Sequence, residues 1–188
     1  MAASHFKLLL SIFVAGIMMV TIRQVHLNLS ENGFDRVSDT ISTERAEEII
    51  KLLHFDLNRI GLGVEGETAI IEATSNRLVF KADLDVDGNV ETVRYYLSDA
   101  AAATSTQNPH DKILYRVVDN EPEVDVPMGV TEFELKYFNA PEGKETTDLD
   151  EIRTIEVALV VQNTISTDDE YTNYARRLRS SPPNLIFN

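Results

Sequence analysis

The most constraining feature of this chain is an uncharged apolar run near its N-terminus. From Leu8 to Ile22 it reads LLLSIFVAGIMMVTI, softened only by Ser11, Gly16 and Thr21 and bracketed by Lys7 and Arg23. One membrane crossing takes about 20 apolar residues, with a range of roughly 17–25. Phe6, the aliphatic stem of Lys7 and continuation through Val25 bring the run to that length, with both cations reaching the interfaces. Three readings compete. A cleaved secretory signal needs a small-residue site after the apolar stretch, and the following TIRQVHLNL contains none. A core helix of a soluble domain is rarely apolar all round. An uncleaved anchor helix agrees with the residues best, its membrane-facing set being Leu8, Leu9, Leu10, Ile12, Phe13, Val14, Ile17, Met18, Met19 and Val20. Lys7 favours a cytoplasmic N-terminus and Arg23 narrows that contrast.

Charge is distributed as unevenly as hydropathy. The net charge is -14, yet no acidic residue precedes Asn28, so the acidic excess belongs to the remainder. Such a surface repels phosphate backbones and argues against nucleic acid as a partner. The absence of cysteine excludes disulfides, thiolate metal sites and cysteine nucleophiles. At 188 residues, 43% of them hydrophobic, the chain suits one domain and a tether.

Three segments follow: a transmembrane helix over 1–27, a linker and amphipathic helix over 28–67, and a β-rich head over 68–188. Asn32-Gly33 within NLSENGFDRVSD is a local breaker and predicts that the first helix bends or stops there. A second helix is expected to start at the N-cap candidates Ser38 or Asp39. Its apolar stripe is Ile49, Leu53, Leu57 and Ile60, widened by Leu52, and it ends at Gly61 and Gly63. Short β-type runs then predict strands near Ala69–Ala73, Arg77–Asp83, Glu91–Leu97, Ile113–Val118, Thr131–Phe138 and Thr154–Val161. The connections expected between them include Ala100–Lys112, Pro122–Pro127 and Ala140–Asp148. With no helical pattern between the runs, the sheet is antiparallel and the fold class α+β, a long N-terminal apolar and amphipathic helix packed on an antiparallel sheet.

The sharpest local motif is Asp83-x-Asp85-x-Asp87-Gly88-Asn89. Carboxylates at alternating positions before a glycine match the first half of a calcium loop, with Glu91 placed to contribute through water. The twelfth position, which an EF-hand fills with Glu, is Arg94. The same residues equally spell a solvated hairpin turn with Gly88 at positive φ. Arg176, Arg177 and Arg179 form a basic cluster in an acidic region, either an interaction patch or a solvated tail. Tyr95-Tyr96 in a strand places one ring in the core and the other outside. GLGVEG (Gly61–Gly66) follows a helix rather than a strand, so it reads as a helix cap and not a dinucleotide fingerprint. No HExxH, GxSxG or paired-histidine pattern occurs; the chain is not expected to be an enzyme or to need a cofactor, calcium aside.

The order of these features resembles the type IV pilin superfamily, in particular PilW-like minor pilins and J-type pseudopilins of type II secretion. The resemblance is carried by the apolar N-terminal helix and FDLNRIGLG (Phe55–Gly63). It continues through SNRLVFKADLDVDGNVETVRYYL (Ser75–Leu97), LYRVV (Leu114–Val118), GVTEFELKYFN (Gly129–Asn139), IRTIEVALVV (Ile152–Val161) and RRLRSSPPNL (Arg176–Leu185). It implies a structural subunit of a pilus or secretion filament, held in the inner membrane by a single pass with an extracytoplasmic head. Its implied partners are other pilin-like subunits, inner-membrane assembly proteins and membrane lipid. The N-terminus departs from the family's processing pattern, since His5 precedes Phe6 and Leu10 stands where prepilins carry a glutamate. That departure supports an alternative, an anchored extracytoplasmic interaction domain outside any filament.

Overall fold

The computed structural model describes residues 2–66, 68–99, 103, 106–119, 124–163 and 171–186. They divide into two units, Met1–Asp39 and Thr40–Asn188. Helix α1 is assigned over Ala2–Leu57. The break expected between Asn28 and Asp39 does not occur, and Ser38 and Asp39 lie inside the helix rather than capping a second one. An interior glycine costs a helix only about 1 kcal/mol and an asparagine less. No atom lies within 4 Å of where a Gly33 Cβ would stand, and its φ is not positive, so nothing local enforces a turn.

In the second unit the α1 stripe is as expected. Ala46, Ile49, Leu53 and Leu57 are buried, and Ile60 follows just beyond the helix end. Gly61 and Gly63 take φ of 79° and 74°, the left-handed values at which a helix terminates most readily at glycine. The exit is then fixed to the sheet, with Gly61 N donating to Lys81 O and Asp83 N to Leu62 O.

The sheet comprises β1 (Ile70–Ala73), β2 (Arg77–Ala82), β3 (Glu91–Leu97), β4 (Lys112–Val118), β5 (Val124–Phe138), β6 (Thr154–Gln162) and β7 (Asn173–Ser180). Their spatial order follows the chain and every pairing is antiparallel. The fold is therefore α+β, an N-terminal helix with a seven-stranded antiparallel sheet. Phe80, Val93, Tyr95, Leu114, Phe133, Leu135, Ile155, Val157 and Leu159 form one buried cluster with the α1 stripe. On β5, Glu132, Glu134 and Lys136 alternate with them and stay exposed, the period-2 pattern of a sheet covered on one face.

Two elements depart from expectation. The Pro122–Pro127 connection is strand from Val124 onward. The ladder skips there: Lys112 pairs with Val130 but Leu114 with Val126. A bulge thus absorbs Pro127, which cannot donate to a ladder, and Gly129 with its φ of 103°. A side chain at Gly129 would meet Gln162 O at 2.8 Å. Residues 122 and 123 of that connection, and 100–102, 104 and 105 of the Ala100–Lys112 loop, lie outside the described residues. The second departure is β7, where the arginine-rich segment expected as a tail is a full strand. After it, the short helix α2 (Pro183–Ile186) buries Leu185 and directs Asn184 Nδ2 to Ile60 O. This ties the Asn-Leu end to the α1 exit.

Candidate functional site

Among the described residues of the first unit the main chemical feature is an apolar surface. Leu10, Ile12, Phe13, Val14, Ile17, Met18, Met19 and Val20 are all exposed, as are Ile22, Val25 and Leu27; the side chains of Leu8 and Leu9 are outside those described. Full burial of one such side chain is worth about 1.5–3 kcal/mol, so eleven of them left near half exposure forfeit on the order of 10 kcal/mol. A contiguous surface of this kind is covered in use. Leu10–Leu27, 18 residues, is long and apolar enough to cross a membrane. At about 1.5 Å per residue it measures roughly 27 Å, close to the ~30 Å hydrocarbon layer. Thr21 Oγ1 donates to Ile17 O at 2.9 Å, which satisfies its hydroxyl within the helix.

In the second unit the acidic motif forms the loop between β2 and β3. Carboxylate oxygens of Asp83, Asp85 and Glu91 lie within 4.8 Å of one another. Asp87 is turned away, accepting from Asn89 N at 2.8 Å and Asn89 Nδ2 at 2.9 Å. The main-chain and side-chain donors of Asn89 hold the Asp87 carboxyl below its ordinary range, and Asp85 adds to the shift. The other carboxylates also serve the loop. Asp83 accepts from Asp87 N and Gly88 N, Asp85 from Asp87 N, and Glu91 from Leu84 N at 2.8 Å. The constellation thus caps backbone donors around Gly88, whose φ is 92°. Glu91 is the member that the alternating spacing Asp83, Asp85, Asp87 did not bring into the trio.

A second cluster, which the sequence reading did not single out, lies at the end of α1. Asp56 is fully buried; it accepts from Tyr95 OH at 2.6 Å, Arg116 Nε at 2.6 Å and Arg116 Nη2 at 3.2 Å. Burial, then the charge and hydrogen bond of Asp56, push the Tyr95 hydroxyl well above its ordinary value. Burial alone would lower Arg116, but the hydrogen bond and charge of Asp56 outweigh it and raise the guanidinium instead. A signal existed in the sequence. Asp56 is three residues after Leu53, seven after Ile49 and four before Ile60, so it sits on the apolar stripe, where a carboxylate needs a buried partner. Of the two rings expected on opposite faces, that of Tyr95 is the one in the core, and Tyr96 lies on the other face with its ring centroid 5.1 Å from that of Tyr115.

The chain matches no family model, no curated protein and no solved structure. What the residues can do therefore follows from their geometry.

That geometry divides the basic cluster. Strand periodicity sends Arg176 toward α1, where its Nε donates to Glu47 at 2.8 Å. Arg177 and Arg179 point to the other face, 3.6 Å and 3.1 Å from Glu156. Arg179 also donates to Pro141 O and lies over the Phe138 ring at 4.1 Å. A cleft of about 400 Å³ beside β1 is lined by Thr68, Ile70, Leu149, Asp150, Arg153 and Asn184, among others. Its polar groups bind each other or the backbone: Thr68 donates to Asp150, and Arg153 to Asp150 O and Ile152 O.

Proposed function

We propose that this chain is a structural subunit of the pilin type. Its apolar helix sits in the inner membrane, its sheet unit faces the extracytoplasmic side, and the helix packs with those of other pilin-like subunits in a type IV pilus or type II secretion filament. The observation that carries the reading is the exposed apolar surface of Leu10–Leu27, in a chain whose remaining acidic part folds as a helix-covered antiparallel sheet. Helix burial and complementary charges between subunits supply the cohesion, and the chain performs no catalysis. The Asp56–Tyr95–Arg116 cluster supports that last point, because its polar atoms are spent on one another. A second reading, an anchored interaction domain that stays out of filaments, is favoured by His5 before Phe6 and Leu10 in the glutamate position.

Intact mass and fractionation of the native protein separate the two. Signal in sheared surface filaments, with a mass short of the first few residues, is the expected result for a filament subunit. Full-length protein confined to the membrane fraction would overturn filament entry and leave the anchored domain.

A further inference from the structure

The two margins of the sheet are unlike. Beside β1 the chain closes over itself: the strand lies against the Leu149–Glu151 turn, Thr68 reaches Asp150, and the hairpin leading to β2 receives Leu135 N at Ser75 O and Tyr137 OH at Thr74 O. At the other margin, no described residue pairs with the outer edge of β7. Along Asn173–Ser180 the main-chain groups that do not face β6 present donors and acceptors there.

Side chains along β7 specify what could pair with that edge. Tyr174 and Leu178 face α1 and are half-buried, whereas their cross-strand neighbours on β6, Val161 and Val157, are completely buried. The apolar layer thus stops partly covered at this strand. On the opposite face stand Arg177, whose side chain is 72% exposed, and Arg179; they share the single carboxylate of Glu156, at 3.6 Å and 3.1 Å, so the group keeps a net positive charge. No acidic residue lies between Asn173 and Ser180. Antiparallel pairing with β7 of a second copy, centred on Arg176, Arg177 or Leu178, would set arginine against arginine, an unfavourable cross-strand arrangement.

We propose that β7 accepts an added strand from another polypeptide in which apolar and acidic residues alternate. Its apolar side chains complete the layer beside Tyr174 and Leu178, and its carboxylates meet Arg177 and Arg179. Main-chain hydrogen bonds provide the attachment, and the alternating side chains provide selection. Pairing with β7 itself, or with a basic strand, is discouraged by the same arginines. The inference concerns Thr40–Asn188 and holds whether or not the apolar helix enters a filament.

The test uses the full chain in detergent micelles and a fluorescent octapeptide of alternating valine and glutamate, followed by anisotropy and by hydrogen exchange of the β7 amides. Saturable binding with slowed exchange over Asn173–Ser180 is expected. Methylating alternate peptide amides should abolish it, because a strand without donors cannot pair. Reversing the exposed charge by Arg177→Glu should weaken binding about tenfold, the scale of losing one favourable and adding one unfavourable cross-strand pair. The same variant should gain binding to a valine–lysine octapeptide that the native chain ignores, a rescue that a folding defect cannot imitate. The proposal fails if binding survives amide methylation, if Arg177→Glu leaves both peptides unchanged, or if millimolar peptide gives no saturable binding.

Discussion

Replacing Asp56 by alanine tests what holds the helix to the sheet. The substitution removes the acceptor for three hydrogen bonds, at 2.6, 2.6 and 3.2 Å, from Tyr95 and Arg116. Tyr95 is wholly buried, so its hydroxyl would be stranded at a cost of about 1–3 kcal/mol. Breaking a buried ion pair from one side costs about 3–5 kcal/mol, but the Arg116 side chain is 20% exposed and recovers part of this through water. Together these give a loss of about 4 kcal/mol, a large share of the ~5–15 kcal/mol that stabilises a typical domain. Arg116→Ala should cost a similar amount, since it leaves the carboxylate with Tyr95 alone. The double variant should fall short of the sum by about 2 kcal/mol, because the second deletion removes a group already stranded. Urea unfolding of the full chain in detergent reads these values through tyrosine fluorescence, which no tryptophan obscures. A loss below about 1 kcal/mol for Asp56→Ala, or a strictly additive cycle, would refute the reasoning.

Other consequences follow from the same geometry. The unfolded chain releases tyrosine protons near pH ~10, while buried Tyr95 and Tyr137 hold theirs to higher pH. Stability should therefore be complete below about pH 10 and fall as pH rises beyond it; a Tyr95→Phe, Tyr137→Phe double variant should flatten that fall in thermal melts. Asp111 is 1% exposed, and among the described residues neither carboxylate oxygen has a hydrogen-bond partner within ordinary distance. Burial pushes its carboxyl up, against the opposing influence of Thr106, Arg45 and His110. Asp111→Asn is thus expected to stabilise by about 1 kcal/mol near neutral pH, an advantage that vanishes below about pH 4. Asp83→Ala should cost about 1–2 kcal/mol by releasing Asp87 N and Gly88 N. With the loop carboxylates engaged in this way, calcium should leave the melting temperature of the native chain unchanged; a rise that disappears in Glu91→Gln would assign Asp83, Asp85 and Glu91 to the cation instead.

Much of this architecture was legible in the residues, because burial imposes periodicity. The Ile49–Leu53–Leu57–Ile60 stripe and the alternation of Phe133, Leu135 and Tyr137 each report one buried face, and both elements are where their patterns put them. Features shaped by long-range pairing were harder to read. Asn32-Gly33 carries a strong local turn preference, but that preference is worth only about 1 kcal/mol and the helix continues through it. Pro122–Pro127 read as a connection because a bulge hides strand character behind breaker residues. β7 read as a tail because an edge strand tolerates arginines that an interior strand would not. The split of Arg176 from Arg177 and Arg179 follows from that strand, so it was invisible while the segment was taken for a tail. The Asp56 cluster needed partners 39 and 60 residues away, although its place on the apolar stripe marked it as unusual.

On the proposed function, the exposed apolar helix crosses a membrane and there meets helices of the same kind. Because the chain contains no cysteine, single cysteines introduced one at a time from Leu10 to Leu27 allow oxidative cross-linking in native membranes and filaments without background. Intermolecular cross-links are expected to recur every three to four residues, the spacing of one packed helix face, in protein that resists alkaline extraction. Release of the chain by alkaline extraction would contradict the membrane anchor. Firm retention with no cross-link at any position would contradict helix packing and leave an anchored domain that acts alone.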